Sequence, residues 1–66
     1  MPSTVIKSHA YDPARHELAI VFQTGRRYTY FDVPPDTGEG MKQAFSKGEY
    51  FNAHIRDRFR FERTDR

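Results

Sequence analysis

The stretch Glu17-Leu18-Ala19-Ile20-Val21-Phe22-Gln23-Thr24-Gly25-Arg26-Arg27-Tyr28-Thr29-Tyr30-Phe31-Asp32-Val33 decides the fold. Leu18, Ile20 and Phe22 alternate with Glu17, Ala19, Val21 and Gln23, the period-2 pattern of a strand over 17–23. Residues 27–33 are rich in Tyr, Thr and Phe, which favour strands, and Pro34 ends the run because it cannot donate to a ladder. The short link between the runs makes them an antiparallel hairpin with two possible registers. A two-residue turn at Thr24-Gly25 pairs Gln23 with Arg26 and sets Val21 and Ala19 opposite Tyr28 and Tyr30. The tyrosines then lie away from Leu18, Ile20 and Phe22, as an open platform. A three-residue loop, Gln23-Thr24-Gly25, pairs Phe22 with Arg26 and sets Ile20 and Leu18 opposite Tyr28 and Tyr30, which then join the core. One residue of slip flips every side chain. Turn chemistry favours the longer loop, since Gly suits a left-handed last position and Thr is poor at the positive φ of a type I′ turn.

Upstream, β-branched Val5-Ile6 opens a strand over 5–11, and Asp12-Pro13 stops it. Downstream, Pro34-Pro35, Asp36 and Glu39 suit a helix N-terminus. Met41, Ala44 and Phe45 supply its apolar stripe. Gly38 and Gly40 weaken it, each by about 1 kcal/mol relative to Ala. Gly48 is expected to stop this helix, with Lys47 near its C-terminal carbonyls. A second short helix is expected from Glu49, with Tyr50, Phe51, His54 and Ile55 on one face. The fold class is α+β: a small antiparallel sheet of about three strands with one or two short helices packed on one face. The expected core is Leu18, Ile20, Phe22, Val33, Met41, Phe45, Phe51 and Ile55, joined by Tyr28 and Tyr30 in the favoured register. Residues 59–66 form a charged tail. In it, Phe59 and Phe61 alternate with Arg58 and Arg60 as an edge strand would. A helix running on from Ile55, or a flexible tail that folds only on a partner, fits the same residues.

Sixty-six residues make one domain. So short a chain buries only about 60% of its unfolded surface. It has no cysteine, which excludes disulfides and thiolate metal sites. Six Phe and four Tyr must supply much of the packing. No apolar run is long enough to span a membrane, and the N-terminus lacks the pattern of a signal peptide, so the expected location is cytoplasmic. Net charge is only +2, too small to argue for nucleic acid by itself. Five arginines nevertheless fall in the last eleven residues, with Asp57, Glu62 and Asp65 among them.

Tyr28-x-Tyr30-x-x-Val33-Pro34 and Lys47-Gly48-x-Tyr50-Phe51-Asn52-x-x-Ile55-Arg56 together resemble the KTSC domain. This is a short bacterial module that occurs alone and at the C-terminus of some lysyl-tRNA synthetases. The resemblance runs roughly over 8–56, so 1–66 reads as a single KTSC-like domain. It implies the fold and suggests RNA binding. Gly38-Glu39-Gly40 departs from the family, which has helix formers there, and this implies a short or late first helix.

The candidate nucleic-acid-binding residues are Arg26, Arg27, Tyr28, Tyr30, Tyr50, Asn52, His54 and Arg56. Asn52 and Arg56 are i, i+4 neighbours on a helix, pairing an amide with a fork that matches phosphate. Exposed tyrosines beside them could stack on unpaired bases. The plainer reading is that Asn52 bonds backbone groups and Arg56 pairs with a carboxylate such as Glu49 or Asp32. His9, His16 and His54 form no spaced metal motif. Ser3, Ser8 and Ser46 lack a nucleophile-elbow context, and the glycines make no phosphate loop. No catalytic residue, metal or cofactor is expected. The expected partners are RNA, as tRNA or a single strand, or else a second copy or another protein, with no membrane.

Overall fold

The computed structural model describes residues 5–65. The expected α+β class holds, with four strands rather than about three. β1 (Ile6–Asp12), β2 (Glu17–Phe22), β3 (Arg27–Tyr30) and β4 (Phe61–Arg63) form one antiparallel sheet in the order β1-β2-β3-β4. Helices α1 (Pro35–Gln43) and α2 (Lys47–His54) lie between β3 and β4 in sequence and cover one face.

The hairpin adopts the three-residue register. Leu18 pairs with Tyr30 and Ile20 with Tyr28. Phe22 N–H donates to Arg26 O at 2.9 Å, Gly25 N–H donates to Phe22 O at 2.9 Å, and Gly25 has φ 90°. That left-handed position carries almost no penalty for Gly. In β1 a bulge between Ile6 and Ser8 shifts the register. It lets Ile6, opposite Phe22, share the inner face with His9 and Tyr11, opposite Ile20 and Leu18.

The core is Ile6, Leu18, Ile20, Tyr30, Val33, Met41, Phe51 and Ile55, with Tyr11, Phe22, Tyr28, Tyr50 and Phe59 packed partly against it. Tyr28 and Phe22 are only half-buried. Phe45 departs furthest from expectation, because it is 86% exposed. The reason is local. α1 ends at Gln43, and Ala44 turns to an extended conformation (φ −64°, ψ 136°), so Phe45 leaves the helical stripe it was assigned to. Gly48 is not a stop signal but lies inside α2, which starts two residues before Glu49. Ser46 caps α2, its hydroxyl accepting from Glu49 N–H at 3.3 Å. Lys47 does cap α1: its Nζ donates to Ala44 O at 2.5 Å and Lys42 O at 2.9 Å.

The first helix is not cut short by its glycines. Gly38 passes beneath the Tyr11 ring, where a Cβ would sit 2.6 Å from ring carbons. The Tyr11 hydroxyl donates to Val33 O at 2.6 Å and fixes that ring. β3 stops at Tyr30 rather than reaching Val33, because Asp32 takes a left-handed φ of 58°. α2 is closed by Ile55 and Arg56 N–H groups donating to Phe51 O, followed by Asp57 at φ 61°. This reversal sends the chain back along β3, where Phe31 N–H donates to Arg60 O and Thr64 N–H to Arg27 O. Of the three readings of the tail, the edge strand is therefore the one the chain adopts. Arg63 clamps Asp65 just beyond it, with Nε to Oδ1 at 2.6 Å and the second nitrogen to Oδ2 at 3.1 Å. Arg66 and residues 1–4 lie outside the described residues.

Candidate functional site

The two helices do not cover the whole inner face. Beyond the C-terminal end of α2, the sheet leaves an open hollow of about 550 Å³. Phe22, Tyr28 and Tyr30 come to it from the hairpin, Phe61 from β4 and Phe51 from α2. Four of the ring contacts are edge to face, and Tyr30 and Phe61 lie tilted at 36° with centroids 5.4 Å apart. Phe22 meets Tyr28 at 5.5 Å and Phe51 at 5.4 Å between centroids, Tyr28 meets Phe61 at 5.6 Å, and Tyr30 meets Phe51 at 5.5 Å, with interplanar angles of 75–81°. Tyr30 and Phe51 are buried at the back, whereas Tyr28 is half-buried and Phe61 is 51% exposed. The last two are the ring surfaces an entering molecule would meet.

The polar groups of the hollow are Thr24 and Arg26 from the hairpin loop, Asn52 on α2, and Arg56 and Asp57 from the turn after it. Arg56 Nε lies 4.0 Å from Asp57 Oδ2, with both side chains largely in solvent (65% and 89% exposed), so this pair opens at little cost. Neither Glu49 nor Asp32 is its partner.

Burial pushes the Tyr30 phenol up to about 12, with Tyr28 and Asp57 adding to the rise and Arg56 opposing it. The folded domain therefore keeps a proton that the unfolded chain releases near 10.0. Stability conferred by the neutral phenol is full below that value and declines as pH climbs from about 10 toward about 12. In an ultraviolet titration, the phenolate component that disappears in Tyr30→Phe should be the one ionising near 12. A component ionising near 10 would mean that Tyr30 is not buried.

Of the eight candidate residues, five line this hollow: Arg26, Tyr28, Tyr30, Asn52 and Arg56. Tyr50 and His54 do not. They stack on each other at 4.4 Å, and the Tyr50 hydroxyl donates to Thr37 O at 2.9 Å, which ties this face of α2 to α1. Burial, then Asp36, raises the Tyr50 phenol above its usual value. Arg27 pairs with Val21 rather than with a core residue, so it projects from the opposite, uncovered face of the sheet. Phe22, Phe51, Asp57 and Phe61 are members of the hollow absent from the eight. Among the described residues no cluster of His, Cys, Asp and Glu could hold a metal ion, and no helix is long and apolar enough to cross a membrane.

The fold and hollow define a small α+β domain with an open aromatic recess rimmed by arginine and amide groups. The chain belongs to the KTSC domain family, whose pattern matches residues 2–59. A region of a lysine–tRNA ligase from Nostoc punctiforme is 42% identical over 59 residues, covering 89% of this chain. The chain spans only about 10% of that ligase's length, so the likeness lies in a short part of the enzyme. A protein from Tsukamurella paurometabola is 38% identical, over 88% of this chain and 87% of its own length. The crystal structure of a KTSC domain protein from Yersinia pestis superposes with a TM-score of 0.87 at 30% identity, covering 97% of this chain and 93% of that one.

Proposed function

We propose that the domain is a non-catalytic RNA-binding module that takes an unpaired nucleotide in the aromatic hollow. The observation that carries this reading is the convergence of Tyr28 and Phe61 with Arg26, Asn52 and Arg56 around one open recess. Planar bases stack on aromatic faces and contribute about 1–3 kcal/mol each, while arginines engage the flanking phosphates. The recess falls in the range of about 300–1,000 Å³ typical of small-molecule sites, so it accommodates one nucleotide. The related region within lysine–tRNA ligases supports RNA as the source of that nucleotide, since those enzymes act on tRNA. The test is the affinity for a short single-stranded RNA and for a tRNA, measured by anisotropy at several salt concentrations. Affinity that falls with salt supports the proposal, and no binding at low salt contradicts it.

A second reading, self-association without a nucleic-acid role, draws on Phe45, whose ring is 86% exposed on the link between the helices. Sedimentation of the domain at micromolar concentration separates the two. RNA binding requires no dimer, and a monomer is expected. A dimer abolished by Phe45→Ser would favour self-association.

A further inference from the structure

We infer that the hollow selects guanine over the other three bases, with Asp57 as the selecting residue; this rests on the RNA reading above. Two consecutive side chains, Arg56 and Asp57, line the same recess. Arg56 carries only donors, and among the described residues Asp57 is the only one lining the hollow whose side chain only accepts. Guanine is the base that answers this carboxylate while Arg56 stays on the flanking phosphate: its adjacent N1–H and exocyclic amino group both donate to the two oxygens of one carboxylate. Uracil offers a carboxylate one ring N–H, and adenine and cytosine offer only an exocyclic amino group. Each therefore leaves one carboxylate oxygen unmatched.

The backbone supports this placement. Asp57 holds a left-handed φ of 61° directly after α2, at the bend that turns the chain toward β4. Its carboxylate is close enough to Tyr30 to raise that phenol, so it acts on the ring floor of the hollow as well as on Arg56. The Arg56–Asp57 pair is long and solvent-exposed, so the two groups can separate, Arg56 to a phosphate and Asp57 to a base, without losing a buried ion pair.

The experiment compares four RNA heptamers that differ only in the central base, G, A, C or U, within a run of uridines. Asn tolerates left-handed backbone, so Asp57→Asn removes the charge and one acceptor while keeping the turn. The wild-type domain should bind the G heptamer about tenfold more tightly than the other three. Asp57→Asn should erase that margin and leave the other affinities unchanged or higher. Equal binding of all four heptamers, or a guanine margin that survives Asp57→Asn, overturns the selection by Asp57 while leaving RNA binding standing. Failure of every heptamer to bind the folded domain overturns both.

Discussion

Replacing Gly38 with alanine will destabilise this domain by about 1–3 kcal/mol, the cost of forcing extra volume into a packed contact. Helix propensity alone forecasts the opposite sign, a gain of about 1 kcal/mol. The close approach of Tyr11 decides between them. A Cβ at Gly38 would lie 2.6–2.7 Å from the Cγ and Cδ carbons of that ring, near the root of the side chain rather than at a movable tip. The ring cannot swing aside without giving up the 2.6 Å bond from its hydroxyl to Val33 O. A chain of this size has only about 3–5 kcal/mol to lose, so urea denaturation should show a clearly lower midpoint. Gly40→Ala should cost less, because the group it meets is the tip of Tyr50. Equal or higher stability of Gly38→Ala would mean that the Tyr11 ring does not lie over α1.

The Gly38-Glu39-Gly40 segment also shows why sequence reading reached only part of this fold. Propensity treats both glycines as defects in α1, yet what they meet, Tyr11 and Tyr50, is set by tertiary packing 27 and ten residues away in the chain. The hairpin was legible because its register follows from local chemistry, the left-handed Gly25 in a three-residue loop. Phe45 was misplaced because α1 ends two residues before it, and the signal lay unread in Ser46-x-x-Glu49, a helix-start pattern that forces a break before Ser46. The candidate site was half legible. Tyr50 and Asn52 are two apart on a helix, so they cannot share a face, and that spacing already separates Tyr50 and His54 from Asn52 and Arg56. Phe61 enters the hollow only because β4 pairs with β3, a long-range contact that the alternating Phe and Arg of the tail permit but do not require.

Arg56→Ala should weaken single-stranded RNA binding by about tenfold or more, because a charge-assisted hydrogen bond to phosphate is worth about 1.5–3 kcal/mol. The variant should fold normally, since Arg56 is exposed and its ion contact in the structure is the loose one to Asp57. The salt dependence separates a phosphate contact from a structural role. Each phosphate neutralised on a single strand contributes a slope of about −0.7 in log K against log salt. Removing Arg56 should therefore flatten the slope by about 0.7, and removing Arg26 as well should flatten it by a similar amount again. Arg27→Ala, on the opposite sheet face, should change neither affinity nor slope by a comparable amount. An unchanged slope in Arg56→Ala would exclude this arginine from the phosphate contact.

The most direct test of the hollow as the binding site is a nitrogen-15 spectrum of the domain, titrated with a short single-stranded RNA at low and moderate salt. The shifts should cluster on Arg26, Tyr28, Asn52, Arg56 and Phe61, shrink as salt rises, and leave Tyr50, His54 and Arg27 nearly still. A silent spectrum, or shifts confined to Tyr50 and His54 or to the uncovered sheet face, would contradict it.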